Sequence, residues 1–120
     1  MLEFGSHKTS HPDVKVVDKV KMKTSRMDSV INKYSINMKN VNFINLDIQG
    51  VELHALKSMG SYLNNIDYIY SEVSTEEVYK KCDQMIDITT YLAQHNFRLV
   101  DEYIYKEYGW GEAFYIKNGI

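Results

Sequence analysis

The sequence contains little of several features that mark common classes of protein. A single cysteine, Cys82, among 120 residues excludes an internal disulfide framework and a cysteine-rich zinc site. The longest apolar runs are only a few residues, far below the roughly 20 needed to cross a bilayer. The opening residues also lack the apolar core of a secretory signal. Together these absences predict a reducing, cytoplasmic setting.

Motifs of common nucleotide, hydrolase and metal sites are missing as well. Neither the glycine pattern GxGxxG nor the phosphate loop GxxxxGKS/T occurs, and there is no GxSxG nucleophile turn. His7 and His11 have the i, i+4 spacing of a helical metal site, but they lie in a polar, proline-containing stretch without an adjacent glutamate. His54 and His95 are interpreted as solvated side chains. The sequence therefore predicts no phosphate-cradling loop and no metal.

What is present is the composition of one small folded domain. Apolar residues make up 44% and charged residues 25% of the chain, close to globular averages. The net charge is −2, and because the domain is not basic overall we expect no nucleic-acid binding. A length of 120 residues fits a binding module more readily than a complete nucleotide-dependent α/β enzyme.

The first half of the chain is predicted to contain two extended segments around a short helix. Residues 1–13 are polar and are expected to form a loop. Residues 14–23 alternate apolar and polar side chains, which favours an extended segment or a hairpin with its lysines facing water. A helix is predicted over about 26–35. Residues 41–48 are the strongest strand candidate, and their few polar positions predict that both faces are covered, as in a parallel sheet.

The second half is predicted to alternate helices with strands. A helix begins near Val51 and ends at Gly60, where the glycine provides a stop. A strand, a helix and two further strands follow, over residues 67–73, 83–95, 97–105 and 113–117. The turn between the last two strands is too short for a helical crossover, so they are expected to be antiparallel. This order predicts an α/β fold with a mixed sheet and a terminal antiparallel hairpin.

Acidic residues fall where open α/β sheets bind ligands, at the carboxyl ends of parallel strands. Asp47 ends the first buried strand and is predicted to be functional, because a carboxylate closing an apolar strand is tolerated mainly at a cleft. Glu72 lies near the end of the next strand and either faces the same cleft or bonds the following loop. Glu52 either belongs to the site or only favours the dipole of its helix. Gly50 either admits a ligand close to the backbone or forms a turn.

Several segments of the chain together resemble one enzyme family. The run FINLDIQGVELHALKSMG at residues 43–60 resembles the signature segment of FkbM-family methyltransferases, which use S-adenosylmethionine. Both have an apolar strand that ends in Asp, then a Gly, a Glu and a helix rich in Leu and Ala. The segments YIYSEVSTEEVYKKC, FRLVDEY and GWGEAFYIKN follow in the family's order, and VKMKTSRMDSVI precedes the signature. The resemblance spans roughly residues 14–118.

The resemblance implies a fold and a set of roles near the signature. The fold is the carboxyl half of a Rossmann-like class I methyltransferase. Asp47 and Glu72 take the catalytic positions at neighbouring strand ends. Gln49, Gly50 and Glu52 take positions that contact the cofactor, S-adenosylmethionine.

The resemblance also reaches the terminal hairpin. It implies substrate contacts at Trp110 and Glu112, where the family commonly has the shorter Asp in place of Glu112. In the family, the amino half supplies a glycine-rich loop for the cofactor and an acid for its ribose, and no such residues precede residue 14.

Two functional interpretations follow. In the first, a polar segment over 1–13 precedes a partial methyltransferase domain over 14–120, the truncated or split carboxyl portion of an enzyme that O-methylates a small-molecule or sugar hydroxyl. In the second, the chain is a catalytically silent α/β module. It would then associate with a partner chain, either a complementary amino-terminal half or a second copy, through an exposed sheet edge.

Overall fold

The computed structural model describes residues 17–77 and 80–120. The predicted loop over 1–13 therefore lies outside the described residues. Residues 17–26 form no regular element, and Val17 is 96% exposed. The predicted half-exposed strand over 14–23 is thus wrong for residues 17–23. Its apolar side chains find no neighbouring strand in the described part of the chain, so alternation alone does not produce a paired strand.

Within the described residues, the regular elements begin with a short helix and continue as alternating strands and helices. We label the α-helices α1 (Met27–Lys33), α2 (Glu52–Ser58) and α3 (Met85–Gln94). The strands are β1 (Phe43–Leu46), β2 (Tyr68–Ser74), β3 (Phe97–Tyr105) and β4 (Trp110–Lys117). The described residues also contain the 3-10 helices Met38–Asn40 and Gly60–Asn65. Every helix and strand predicted after residue 25 is present, and β4 starts three residues earlier than predicted.

The four strands form one mixed sheet in the order β1-β2-β4-β3. β1 and β2 are parallel, and β4 is antiparallel to both β2 and β3. The α/β class, the mixed sheet and the antiparallel terminal hairpin are therefore confirmed. The hairpin does not simply extend the sheet, however, because its second strand inserts between β2 and β3.

The described helices that pack on the sheet cover one of its faces, where the core lies. Apolar side chains of β1, β2 and β4 alternate onto this face and meet buried residues of α2 and α3. The fully buried ring of Tyr115 carries its hydroxyl to within 2.8 Å of Thr89 Oγ1, so this polar atom is satisfied inside the core. The helix α3 begins with a capping box between Gln84 and Asp87, which fixes its first turn against the sheet.

Within residues 17–77 and 80–120, no helix or strand covers the opposite face of the sheet, which corrects, for the described residues, the expectation that β1 is covered on both sides. Phe43 is 50% exposed, and the burial of β1 alternates strictly. We call this surface the open face. Strand register brings onto it the side chains Phe43, Tyr68, Tyr70, Glu72, Tyr103, Tyr105, Trp110, Glu112 and Phe114. Only Ile44 and Leu46 of β1 are buried, so the apolar run reflects one buried face together with an exposed Phe43.

No described helix is both long and apolar enough to cross a bilayer.

Candidate functional site

Two carboxyl groups meet at the carboxyl ends of the parallel strands. The last paired residues of β1 and β2 are Leu46 and Ser71. The next residues along each strand are Asp47 and Glu72, and their side chains share a hydrogen bond. Asp47 is exposed, whereas Glu72 is half-buried on the open face. The structure therefore brings together the two acids that the sequence predicted as catalytic.

The environment of Glu72 favours its protonated form. Burial is the largest cause that raises its pKa, and the hydrogen bond and charge of Asp47 come next. The charges of Glu52 and Glu112 add to the effect, and together they raise the pKa of Glu72 to about 8. At neutral pH the Glu72 carboxyl thus keeps its proton and can donate it in a hydrogen bond to Asp47.

The turn after β1 places the Asp47 side chain. Gln49 and Gly50 both have positive φ, at 62° and 103°, so the chain reverses sharply over two residues. The Nε2 amide of Gln49 donates to Asp47 Oδ1 at 3.0 Å. Gln49 thereby orients the acid beside it. Gly50 is buried within this turn, and the predicted contacts of Gln49 and Gly50 with a cofactor stay predictions.

Glu52 holds this turn from the inside. Its side chain is 2% exposed and accepts the N–H of Ile48 at 3.0 Å and that of Gly50 at 3.1 Å. Burial raises its pKa, while these main-chain donors act in the opposite direction. The buried carboxyl accepts hydrogen bonds from main-chain N–H groups that would otherwise lack an acceptor. Its predicted contact with a cofactor stays a prediction.

A second contact fastens the turn to the segment that follows β2. The N–H of Asp83 donates to the carbonyl of Gly50 at 2.8 Å. Asp83 Oδ2 accepts the N–H of His54 at 3.2 Å and lies 2.7 Å from its Nδ1. Sequence reasoning missed this pair and interpreted His54 as solvated. The imidazole is 72% exposed but is also bound, and no local spacing links residues 29 positions apart.

The terminal hairpin adds a third acid to the site. Glu112 lies opposite Glu72 in the β2–β4 register and near the phenol of Tyr70. Its interaction with that phenol is the main cause that raises the pKa of Tyr70. Trp110 lies opposite Ser74, and its ring is 4.7 Å from the ring of Tyr105. Glu112 therefore reaches the acid pair through the strand register, while Trp110 lies two residues further along the same face.

Comparison with known families gives this geometry a context. The family model described as the methyltransferase FkbM domain matches residues 3–99. The chain belongs to the FkbM methyltransferase family. The resemblance inferred from the signature segment is thus confirmed at the level of the family.

The FkbM match includes part of the site. It covers Asp47, Gln49, Gly50, Glu52 and Glu72, and ends within β3. Trp110 and Glu112 lie beyond the matched residues, so their substrate contacts remain predictions. No curated protein and no solved structure matches the chain.

The donor set of this FkbM site suits an organic cation better than a metal ion. Among residues 17–77 and 80–120, no three His, Cys, Asp or Glu side chains are arranged to hold a metal. The acids of the open face instead lie among aromatic rings. S-adenosylmethionine carries a positively charged sulfur, and the acids around Glu72 would lower the energy of that charge. The chain thus offers a fit to the reactive end of this cofactor.

Proposed function

We propose that this FkbM-family chain contributes the acid–base half of a methyl transfer from S-adenosylmethionine to a hydroxyl oxygen of a small molecule or sugar. The observation that carries the proposal is the hydrogen-bonded pair of Asp47 and Glu72 at the carboxyl edge of the sheet. Open α/β sheets bind ligands at this edge. A pair whose pKa lies near the working pH is suited to exchange protons with a substrate.

The chemistry assigned to the chain is the removal of one proton. When bound, S-adenosylmethionine supplies a methyl carbon whose bond to sulfur breaks as the acceptor oxygen attacks it. The acceptor hydroxyl passes its proton to the ionised Glu72 carboxylate, which Asp47 positions. Gln49 and Glu52 hold the turn that aims Asp47. Much of the rate enhancement comes from holding the acceptor oxygen in line with the methyl carbon.

The absence of a glycine-rich loop from the sequence supports a further part of this proposal. We propose that the complete cofactor site includes a complementary amino-terminal half of the FkbM domain. The acid pair and the terminal hairpin then form the carboxyl portion of one Rossmann-like site.

The test begins with cofactor binding, measured by calorimetric titration of the chain with S-adenosylmethionine. We expect saturable binding that Asp47→Lys weakens at least about tenfold, because a cation then replaces the anion beside the sulfonium. Asp67→Asn is the matched control, since Asp67 precedes β2 at the opposite edge of the sheet. Binding that is indifferent to Asp47→Lys would contradict a cofactor site at this edge, whereas no binding by the chain alone is the result expected if the amino-terminal half must be present.

The second arm measures methyl transfer in the assembled enzyme. Asp47→Asn keeps the size of the side chain and should lower turnover while the chain stays folded. Unchanged turnover in that variant would remove Asp47 from the mechanism.

A second candidate function rests on the open face alone. Its exposed aromatic side chains and the outer edge of β1 favour a silent module that associates with a partner chain. Light scattering distinguishes the two. A monomer at high concentration that also binds S-adenosylmethionine supports the methyltransferase, whereas self-association without cofactor binding supports the module.

A further inference from the structure

The open face contains a small cleft beside the acid pair. Its volume is about 90 Å³, and it is lined by Tyr70, Asp101, Glu102, Tyr103, Glu112 and Phe114. These residues come from β2, β3 and β4, so paired strands form the floor of the cleft. The shape of the cleft therefore does not depend on a loop.

Aromatic rings form the walls of the cleft. The rings of Tyr70 and Phe114 are 6.5 Å apart and tilted by 55°, and Tyr68 stacks behind Phe114 at 6.3 Å. Tyr103 lies opposite Glu112 in the β3–β4 register and is 64% exposed. Its ring makes an edge contact with the ring of Tyr105, with centroids 4.9 Å apart. The cleft thus offers several aromatic rings and has room for a group of a few atoms.

The charge inside the cleft is negative. Three acids, Asp101, Glu102 and Glu112, line the cleft, and Glu112 and then Asp101 raise the pKa of the Tyr70 phenol. Among the described residues that line the cleft, none is a lysine, an arginine or a histidine. The carboxylates would repel an anion. A neutral apolar group would displace water from the carboxylates without offering them a new hydrogen bond or charge partner. A cation with an apolar surface satisfies both the rings and the acids.

We propose that this cleft binds the positively charged end of an organic onium ligand, either an ammonium or a sulfonium. The cleft adjoins the acid pair, because Glu112 lies directly opposite Glu72. Two ligands of the proposed methyltransferase share this chemistry: an acceptor that carries an ammonium group, and the sulfonium of the donor. The relevance of the cleft to methyl transfer rests on the proposed function, but its selectivity for onium ions does not.

The test is a titration of the isotopically labelled chain followed by nuclear magnetic resonance. The probes are choline, trimethylsulfonium and 3,3-dimethylbutan-1-ol, which is the neutral analogue of choline with a carbon in place of nitrogen. We expect both cations to shift the amide signals of Tyr103, Glu112 and Phe114. The neutral analogue should bind about tenfold more weakly, since it gains neither the ring nor the carboxylate attraction. Equal binding of the neutral analogue, or no shift at these residues, would overturn the proposal.

Two variants distinguish binding in the cleft from attraction of the cation by the net charge of the chain. Glu112→Gln should weaken choline binding about tenfold, whereas Glu107→Gln, at an exposed position between β3 and β4, should leave it unchanged. Tyr103→Leu keeps an apolar side chain at an exposed position, so it preserves the fold but removes the ring. It should weaken choline binding severalfold and leave binding of the neutral analogue unchanged. Equal effects of Glu112→Gln and Glu107→Gln would show that net charge alone attracts the cation.

Competition identifies the source of the cation. Displacement of choline by S-adenosylmethionine, but not by S-adenosylhomocysteine, which has the same ammonium group but a neutral sulfur, assigns the cleft to the donor sulfonium. Simultaneous binding of S-adenosylmethionine and choline assigns it to a cationic acceptor. Choline binding without methyl transfer would contradict only the proposed function, whereas methyl transfer without any onium binding in the cleft would contradict only this inference.

Discussion

Asp47 and Glu72 share a hydrogen bond across two parallel strands, one residue beyond the last paired positions of β1. The sequence of neither strand alone brings the two side chains together. The register of β1 against β2 sets them side by side, and burial on the open face keeps a proton on Glu72. The pair is therefore a product of strand pairing, and its chemistry changes with pH in a predictable direction.

The stability of the chain should fall as the pH rises from about 4.5 to about 8. In this range Glu72 stays protonated in the folded chain, where its pKa is about 8. It ionises in the unfolded chain, where its pKa is near the ordinary 4.5. The folded state therefore binds more protons, and its advantage is lost as the pH rises through 8. Urea unfolding at several pH values measures this slope. Glu72→Gln should flatten it, and a slope that is unchanged in the variant would assign it to other groups, such as Glu52.

Methyl transfer by the assembled enzyme should rise with pH. If the ionised Glu72 accepts the proton, the rate should increase about tenfold per pH unit below 8 and level off above it. Glu72→Gln removes the proton acceptor and should lower the plateau by about 10²-fold. A pH–rate profile of kcat/KM makes the measurement. A variant that keeps both the rise and the plateau would exclude Glu72 as the base.

Glu52→Ala should destabilise the fold by about 1–3 kcal/mol, because it leaves the N–H groups of Ile48 and Gly50 without their acceptor in a buried place. Glu52→Gln retains a carbonyl acceptor and should cost less. Chemical denaturation of the two variants provides the comparison. Equal losses would mean that the charge of Glu52, rather than its hydrogen bonds, stabilises the turn.

Gly111→Ala should disrupt the hairpin of β3 and β4. A Cβ at this position would lie 2.0 Å from the main-chain oxygen of Tyr103, and a strand backbone cannot easily move aside. We expect a loss of about 1–3 kcal/mol or more. At Gly119 a Cβ meets nothing within 4 Å, so Gly119→Ala should cost only the backbone strain of its positive φ, about 1 kcal/mol. Thermal unfolding that ranks Gly119→Ala as the more harmful variant would show that crowding at Tyr103 is relieved in solution.

Asp83→Ala should loosen the turn at Gly50 without unfolding the core. The substitution removes the acceptor of the His54 N–H and the partner of its ring, while the main-chain bond to Gly50 remains. Amide hydrogen exchange should accelerate at His54 and around Gly50, and remain slow at Ile69 in β2. Uniform acceleration across the sheet would indicate a global loss of stability instead.

The elements after residue 25 and the strand-end acids could be predicted from the sequence, because each depends on a local pattern. Apolar spacing along α3 identified its buried side chains Ile88 and Leu92. The sequence of FINLDIQG located both the end of β1 and the turn that follows. Local patterns of this kind report which side of an element is apolar and where it ends.

Features that depend on pairing between distant segments could not be predicted. Nothing local shows that β4 inserts between β2 and β3, or that Glu112 faces Glu72. The pairing of His54 with Asp83 also joins segments that only the folded chain brings together. The alternating pattern at 14–23 predicted a strand that is not formed over residues 17–23, because a strand also needs a neighbouring strand to pair with.

The position of β4 has a consequence for how the chain is synthesised. Because the ribosome adds residues in order, β3 emerges before the strand that must separate it from β2. Direct pairing of β3 with β2 would occupy the place of β4, so the native sheet is completed only after Trp110–Lys117 has left the exit tunnel. A stalled chain that lacks these eight residues should therefore remain a target for chaperones and proteases.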